Sequence, residues 1–172
     1  LVDTKVKSRD PFEQSTGTYR EFYAPGSRED LEFRLTRKLV LTARRWTAAS
    51  EEPIRAATGQ TRARWQTLLA LAIADSSATT STLSSRLGVR WPPLIRTLNG
   101  LEADGLVRRR ENAADKRSRF LEITEEGRRV VEGVRPVLAQ VRGDVLEELS
   151  DDELVLATRL LDMILNGTLA PE

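Results

Sequence analysis

A chain of 172 residues with 40% hydrophobic and 31% charged side chains is long enough to bury a core, as one domain or one domain with an arm. It has no cysteine and no histidine, which excludes disulfides, thiolate metal sites and imidazole acid–base chemistry. The net charge of +1 hides a segregation: Arg86 to Arg119 holds nine basic against four acidic residues, while Phe120 to Glu172 holds five against twelve. No apolar run approaches the ~20 residues that span a bilayer, and the first residues lack the plan of a secretion signal. A cytoplasmic protein is expected.

Residues 1–28 show no sustained period and read as an N-terminal arm closed by Pro25-Gly26-Ser27. Its Tyr19, Phe22 and Tyr23 either dock on the body or cluster by accident. From Asp30 onward Leu31, Leu35, Leu39, Thr42 and Trp46 recur at helical spacing, which predicts a long amphipathic helix over 29–60. Pro53 predicts a kink or break in it, and Gly59 its end. Thr61 can cap the next helix, in which Trp65, Leu68, Leu69 and Ala72 share a face. After a polar loop, a short helix through Thr82, Leu83 and Leu87 stops at Gly88. Another runs from about Trp91 to Asp104 with Leu94, Leu98 and Leu101 inward. Short helix, tight turn and second helix make a helix-turn-helix.

Beyond Gly105 an apolar strand start, Leu106-Val107, runs into Arg108, Arg109 and Arg110. A polar turn carries Asp115-Lys116-Arg117, and a second strand returns from Arg119 to Ile123. This is a two-stranded ribbon bearing cations between two helices, and its counterpart is duplex DNA. A helix-turn-helix followed directly by such a ribbon is a winged helix, here residues 61–124 of a mainly α chain with a small β-wing. Its second helix fits the major groove, and the ribbon tip reaches a minor groove or flanking phosphates. Thr124 starts a helix reaching about Leu149, whose straightness Gly133, Pro136 and Gly143 weaken. Ser150-Asp151-Asp152-Glu153 reads as a capping box for a last helix lined by Leu154, Leu156, Leu160, Leu161, Ile164 and Leu165.

Leu101-Glu102-x-x-Gly105-Leu106-Val107-x-Arg109, Asp115-x-Arg117 and Ile123-Thr124-x-x-Gly127 occur together. With them the ungapped stretch from Gly88 to Gly127 resembles the MarR family of bacterial transcription regulators. Thr61-x-Ala63-x-Trp65-x-x-Leu68 looks like its SlyA-like branch, and the resemblance covers roughly Asp30 to Asn166. It implies a helical homodimer, held by residues 29–60 and 125–172, on a pseudo-palindromic operator in double-stranded DNA. The apolar faces of the first and last helices agree, since one subunit alone would expose a patch on the order of several hundred Å².

Within that frame Arg117 is expected in the minor groove, with Arg119 second and Asp115 orienting Arg117 or a neighbouring helix. Arg109 and Lys116 complete the DNA-binding set of the ribbon. On the recognition helix Trp91, Pro92, Ile95, Arg96 and Asn99 face outward, and Arg90, a poor cap, can reach phosphate. Members of the family usually carry Ser or Thr near positions 92 and 93. Pro92 and Pro93 are tolerated in a first turn but supply no donors, which implies reading through thymine methyls, shape and Arg96. Gly100 in mid-helix costs roughly 1 kcal/mol against alanine, with no functional account in the sequence.

The resemblance also implies a small aromatic or phenolic effector between the dimerisation helices and the DNA-binding lobe. Arg45, Trp46, Trp65 and Leu69 are the candidates, by stacking and carboxylate pairing. The competing reading makes both tryptophans core. The leading function is therefore a ligand-responsive DNA-binding regulator, most simply a repressor. The alternative is a winged helix used for protein–protein assembly without DNA. No Gly-rich phosphate loop, metal spacing or nucleophile–base pair points to an enzyme or a cofactor.

Overall fold

The computed structural model describes residues 17–74, 78–112 and 117–168. The chain falls into two units, Leu1–Thr47 and Ala48–Glu172. Helix α1 (Gly17–Phe22) belongs to the first, and helix α2 (Arg28–Thr58) contributes to both.

Asp30 organises the first unit. Only 2% exposed, its carboxylate accepts from the Tyr19 hydroxyl at 2.5 Å, the Arg34 Nε at 2.8 Å and the Gly26 N–H at 2.9 Å. Three donors repay the desolvation that would otherwise make a buried carboxylate costly. Tyr19 and Tyr23 pack on Phe33, with ring centroids 5.6 and 4.7 Å away, whereas Phe22 stays 73% exposed. Two of the three arm aromatics therefore dock, and α1 is part of the ordered structure.

The Tyr19 hydrogen bond, then Arg34 and the Gly26 N–H, hold the Asp30 carboxyl at about 2, below its ordinary 3.8. A depressed carboxylate stabilises the fold above its ordinary value and loses that contribution as pH falls toward the folded one. The near-UV circular dichroism of the Tyr19–Tyr23–Phe33 cluster should accordingly fade between about pH 4 and pH 2. Asp30→Asn should weaken the same signal at neutral pH; an unchanged spectrum in the variant would detach Asp30 from the docking of α1.

The break expected at Pro53 does not occur, since α2 continues through it to Thr58. A proline removes one helical N–H, but the turn beyond it is held by other means. Ile54 is completely buried with Trp65, Val134 and Leu138, and the Thr58 hydroxyl donates to the Ile54 carbonyl at 2.7 Å. Tertiary packing overrides the local penalty. The helix then stops at Gly59, in the left-handed region at φ 69°.

The second unit continues with α3 (Arg62–Ala72), α4 (Thr80–Leu87), α5 (Trp91–Ala103), β1 (Val107–Glu111), β2 (Arg119–Ile123), α6 (Glu125–Leu146) and α7 (Asp151–Thr168). Thr79 and Thr82 form a reciprocal capping box at the start of α4. Leu68, Leu83, Leu94, Leu98, Leu101 and Leu121 knit α3, α4, α5 and β2 into one core.

One junction joins ribbon and α6, and it explains the run Ile123-Thr124-x-x-Gly127. The Thr124 hydroxyl donates to the Gly105 carbonyl at 2.7 Å and caps α6 by accepting from the Gly127 N–H at 3.1 Å. The Thr124 N–H donates to the Leu106 carbonyl at 3.1 Å. A Cβ on Gly127 would collide with that same carbonyl and with the Ile123 side chain. The glycine is there so that α6 can lie against backbone.

The final helix starts as its sequence predicts. The Ser150 N–H donates to Glu153 at 2.9 Å, and the Glu153 N–H reaches the Ser150 hydroxyl at 3.4 Å. Yet α7 has no buried residue, and Val155, Leu156, Leu160, Leu161, Met163 and Leu165 are all exposed. Among the described residues no helix is long and apolar enough to cross a membrane.

Candidate nucleic-acid interface

Helix α5 divides cleanly into two faces. Leu94, Leu98 and Leu101 are buried, while Trp91, Pro92, Ile95, Arg96 and Asn99 are all exposed. Trp91, Ile95 and Asn99 stand four residues apart and so form one stripe, with Pro92 and Arg96 beside it. Arg90 holds the N-cap position without a side-chain capping bond, which leaves its guanidinium available for another acceptor. This surface offers indole, pyrrolidine and sec-butyl groups with few donors, a pattern suited to thymine methyls and groove shape.

The ribbon is less open a cationic display than its three arginines suggest. Val107 pairs with Ile123, Arg109 with Leu121 and Glu111 with Arg119, so Arg109 shares the face of Val107 and Leu121. Its side chain is 25% exposed. It donates to Glu102 and, at 2.7 Å, to the Asn99 side chain. Arg108 and Arg110 lie on the other face and bracket Glu122 at 2.8 and 3.0 Å. The run Arg108-Arg109-Arg110 is thus largely neutralised, and Arg109 braces the ribbon against α5.

Asp115 and Lys116 lie outside the described residues. Arg117 is exposed beside the tip and Arg119 is exposed on β2. Arg90, Arg96 and Arg119 carry no ion pair among the described residues. Glu102 and Glu122 were absent from the sequence candidates, although strand alternation from Val107 already directs Arg109 inward.

Of the four effector candidates, two lie in each unit. Arg45 and Trp46 fall in the first unit, and Trp65 and Leu69 in the second. Trp65 is 6% exposed within the Ile54–Val134–Leu138 cluster, as its core reading requires. Its indole N–H is buried without a partner among the described residues, a cost of about 1–3 kcal/mol. Leu69 lines a cavity of about 800 Å³ between α3 and α6, along with Ile73, Leu138, Arg128, Arg135 and Arg142. These three arginines, spaced seven apart along α6, escaped the sequence reading because each alone resembles an ordinary solvated residue.

The MarR family pattern matches residues 58–118. The solved transcriptional regulator PA3341 is 34% identical, over 77% of this chain and 96% of that one, with a TM-score of 0.71. Sco3205, a MarR family transcriptional regulator from Streptomyces coelicolor solved in complex with DNA, is 20% identical over 85% of this chain and 92% of that one, at TM-score 0.75. CouR from Rhodococcus jostii RHA1, bound to p-coumaroyl-CoA, is also 20% identical, over 83% and 96%, at TM-score 0.68. The last two share the fold.

Proposed function

The chain belongs to the MarR family of transcriptional regulators, and we propose that this DNA-binding regulator acts as a homodimer, most simply a cytoplasmic repressor, on a pseudo-palindromic operator. The carrying observation is the reading face of α5, where Trp91, Ile95 and Arg96 stand exposed on a helix whose opposite side is locked into the core. Residues 61–124 read the duplex, and residues 29–60 and 125–172 join two subunits. An α7 that buries nothing by itself supports this division. The run Thr61-x-Ala63-x-Trp65-x-x-Leu68 supports placement in the SlyA-like branch.

The effector in this reading is an amphipathic organic anion seated between α3 and α6. Leu69 and Ile73 supply an apolar wall, and Arg128, Arg135 and Arg142 supply cations that are exposed and carry no ion pair among the described residues. That CouR holds p-coumaroyl-CoA supports an aromatic acid or its thioester. Trp65 backs this wall through Leu69 and Leu138. An anion with unequal affinity for the DNA-bound and free forms shifts operator affinity by that difference.

Arg117→Ala tests the wing. On a duplex selected by the wild-type chain from a randomised pool, affinity should fall by about 1–3 kcal/mol. The melting temperature should hold, because Arg117 is exposed. Unchanged affinity would take the wing out of the mechanism.

A further inference from the structure

We propose that Arg64 is a positioning residue for the recognition helix, seated in a notch that Gly100 keeps open. The inference rests on the reading of α5 as the DNA-contacting helix. Arg64 stands on α3, and its Nε donates to the Gln60 side chain at 2.6 Å. Its Nη2 donates to Asp104 at 2.5 Å. Its Nη1 lies 3.1 Å from where a Cβ on Gly100 would stand, tighter than side chains normally tolerate. The guanidinium is thus gripped at both ends as it crosses α5. Its side chain is only 21% exposed, unlike a free surface arginine.

Asp104 occupies the C-cap of α5, where its N–H returns to the Gly100 carbonyl. The Arg64–Asp104 pair therefore holds the last turn of the recognition helix against α3. From the ribbon, Arg109 holds the same region through Glu102 and Asn99. Two arginines from different elements fix one end of a rod whose other end carries Trp91 and Ile95. Thirteen residues separate Trp91 from Asp104, about 20 Å of helix, so a tilt of a few degrees at the braced end moves the reading residues by roughly 1 Å. That displacement misaligns base contacts, whose geometry is narrow, while leaving phosphate contacts through flexible side chains nearly intact. A glycine otherwise unfavourable in mid-helix acquires a purpose.

Arg64→Ala, Gly100→Ala and the double variant test this on two probes, the duplex selected by the wild-type chain from a randomised pool and poly(dI–dC). Arg64→Ala is expected to lower the ratio of specific to non-specific affinity by about tenfold. Gly100→Ala should lower it by about threefold with a melting temperature equal to or above wild type, since alanine favours the helix. A purely structural role would move affinity and stability together. With Arg64 gone, Gly100→Ala should change the ratio no further, and the salt slope should be that of wild type throughout. Gly100→Ala decides the matter even if Arg64→Ala fails to fold. An unchanged ratio, or additive losses, overturns the proposal. So does a parallel loss on both probes with a reduced salt slope, which would make Arg64 a phosphate contact. A wild-type chain that binds no duplex overturns the functional reading together with the notch. Variants that match a binding wild type overturn the notch alone.

Discussion

A chain ended at Leu149 is expected to sediment as a monomer, whereas the full chain should run at twice its 19.3 kDa. Helix α7 exposes Val155, Leu156, Leu160, Leu161, Met163 and Leu165. Fully burying a side chain of this size is worth about 1.5–3 kcal/mol. These side chains are already partly covered, so six of them contribute on the order of 5–10 kcal/mol per subunit. Association costs about 4–15 kcal/mol in lost freedom before any affinity appears. The α7 contribution from two subunits is therefore of the size that separates a stable dimer from none. Because α7 buries no residue of its own, its removal should leave the thermal unfolding of the winged module nearly unchanged at low protein concentration. A truncated chain that still sediments as a dimer would move the interface elsewhere, and α2 would be the next element to test.

Gly127→Ala should unfold the junction between ribbon and α6. The atom its Cβ would meet is the Leu106 carbonyl, which already accepts the Thr124 N–H and cannot swing aside as a side chain would. Overpacking of this kind costs about 1–3 kcal/mol, and more where backbone must move. Against a total stability of about 5–15 kcal/mol that is a large share. Gly143 lies in the same helix with nothing within 4 Å of the added methyl. There the propensity term acts alone, so Gly143→Ala should stabilise by up to about 1 kcal/mol. Thermal melts of the two variants should therefore move in opposite directions by several degrees. If both move upward, α6 does not press on Leu106 as described.

Local signals announced most of the architecture. Thr124, the Ser150 capping box and the left-handed Gly88 place the starts of α6 and α7 and the stop of α4 within a residue of their expected bounds, while α6 ends at Leu146, three residues short of the expected Leu149. Such signals need only neighbours in the chain, and the exposed stripe on α5 follows equally from one helical period. Long-range partners were harder to see. Strand alternation from Val107 turns Arg109 inward, but which acids claim Arg108, Arg109 and Arg110 depends on the pairing of the two strands and on the approach of α5, so the ribbon looked more cationic than it is. Gly100 made no sense until Arg64, thirty-six positions earlier, was laid across it. Of the kink or break expected at Pro53 the break is absent, because burial of Ile54 outweighs a missing hydrogen bond. Asp115 and Lys116, which complete the expected wing tip, lie outside the described residues.

Electrostatics offers the sharpest discrimination between a DNA reader and a protein-assembly module. With Arg90, Arg96 and Arg119 outside any ion pair among the described residues, the proposed dimer would present about six cations to phosphate. That number gives a slope of log affinity against log salt near −5. Fluorescence anisotropy of the full chain on its selected duplex should accordingly show affinity falling about 10³-fold between about 50 and 200 mM salt. A folded dimer that ignores duplex DNA at the lowest salt, or binds it with an affinity indifferent to salt, would contradict the assignment of α5 and the wing to DNA.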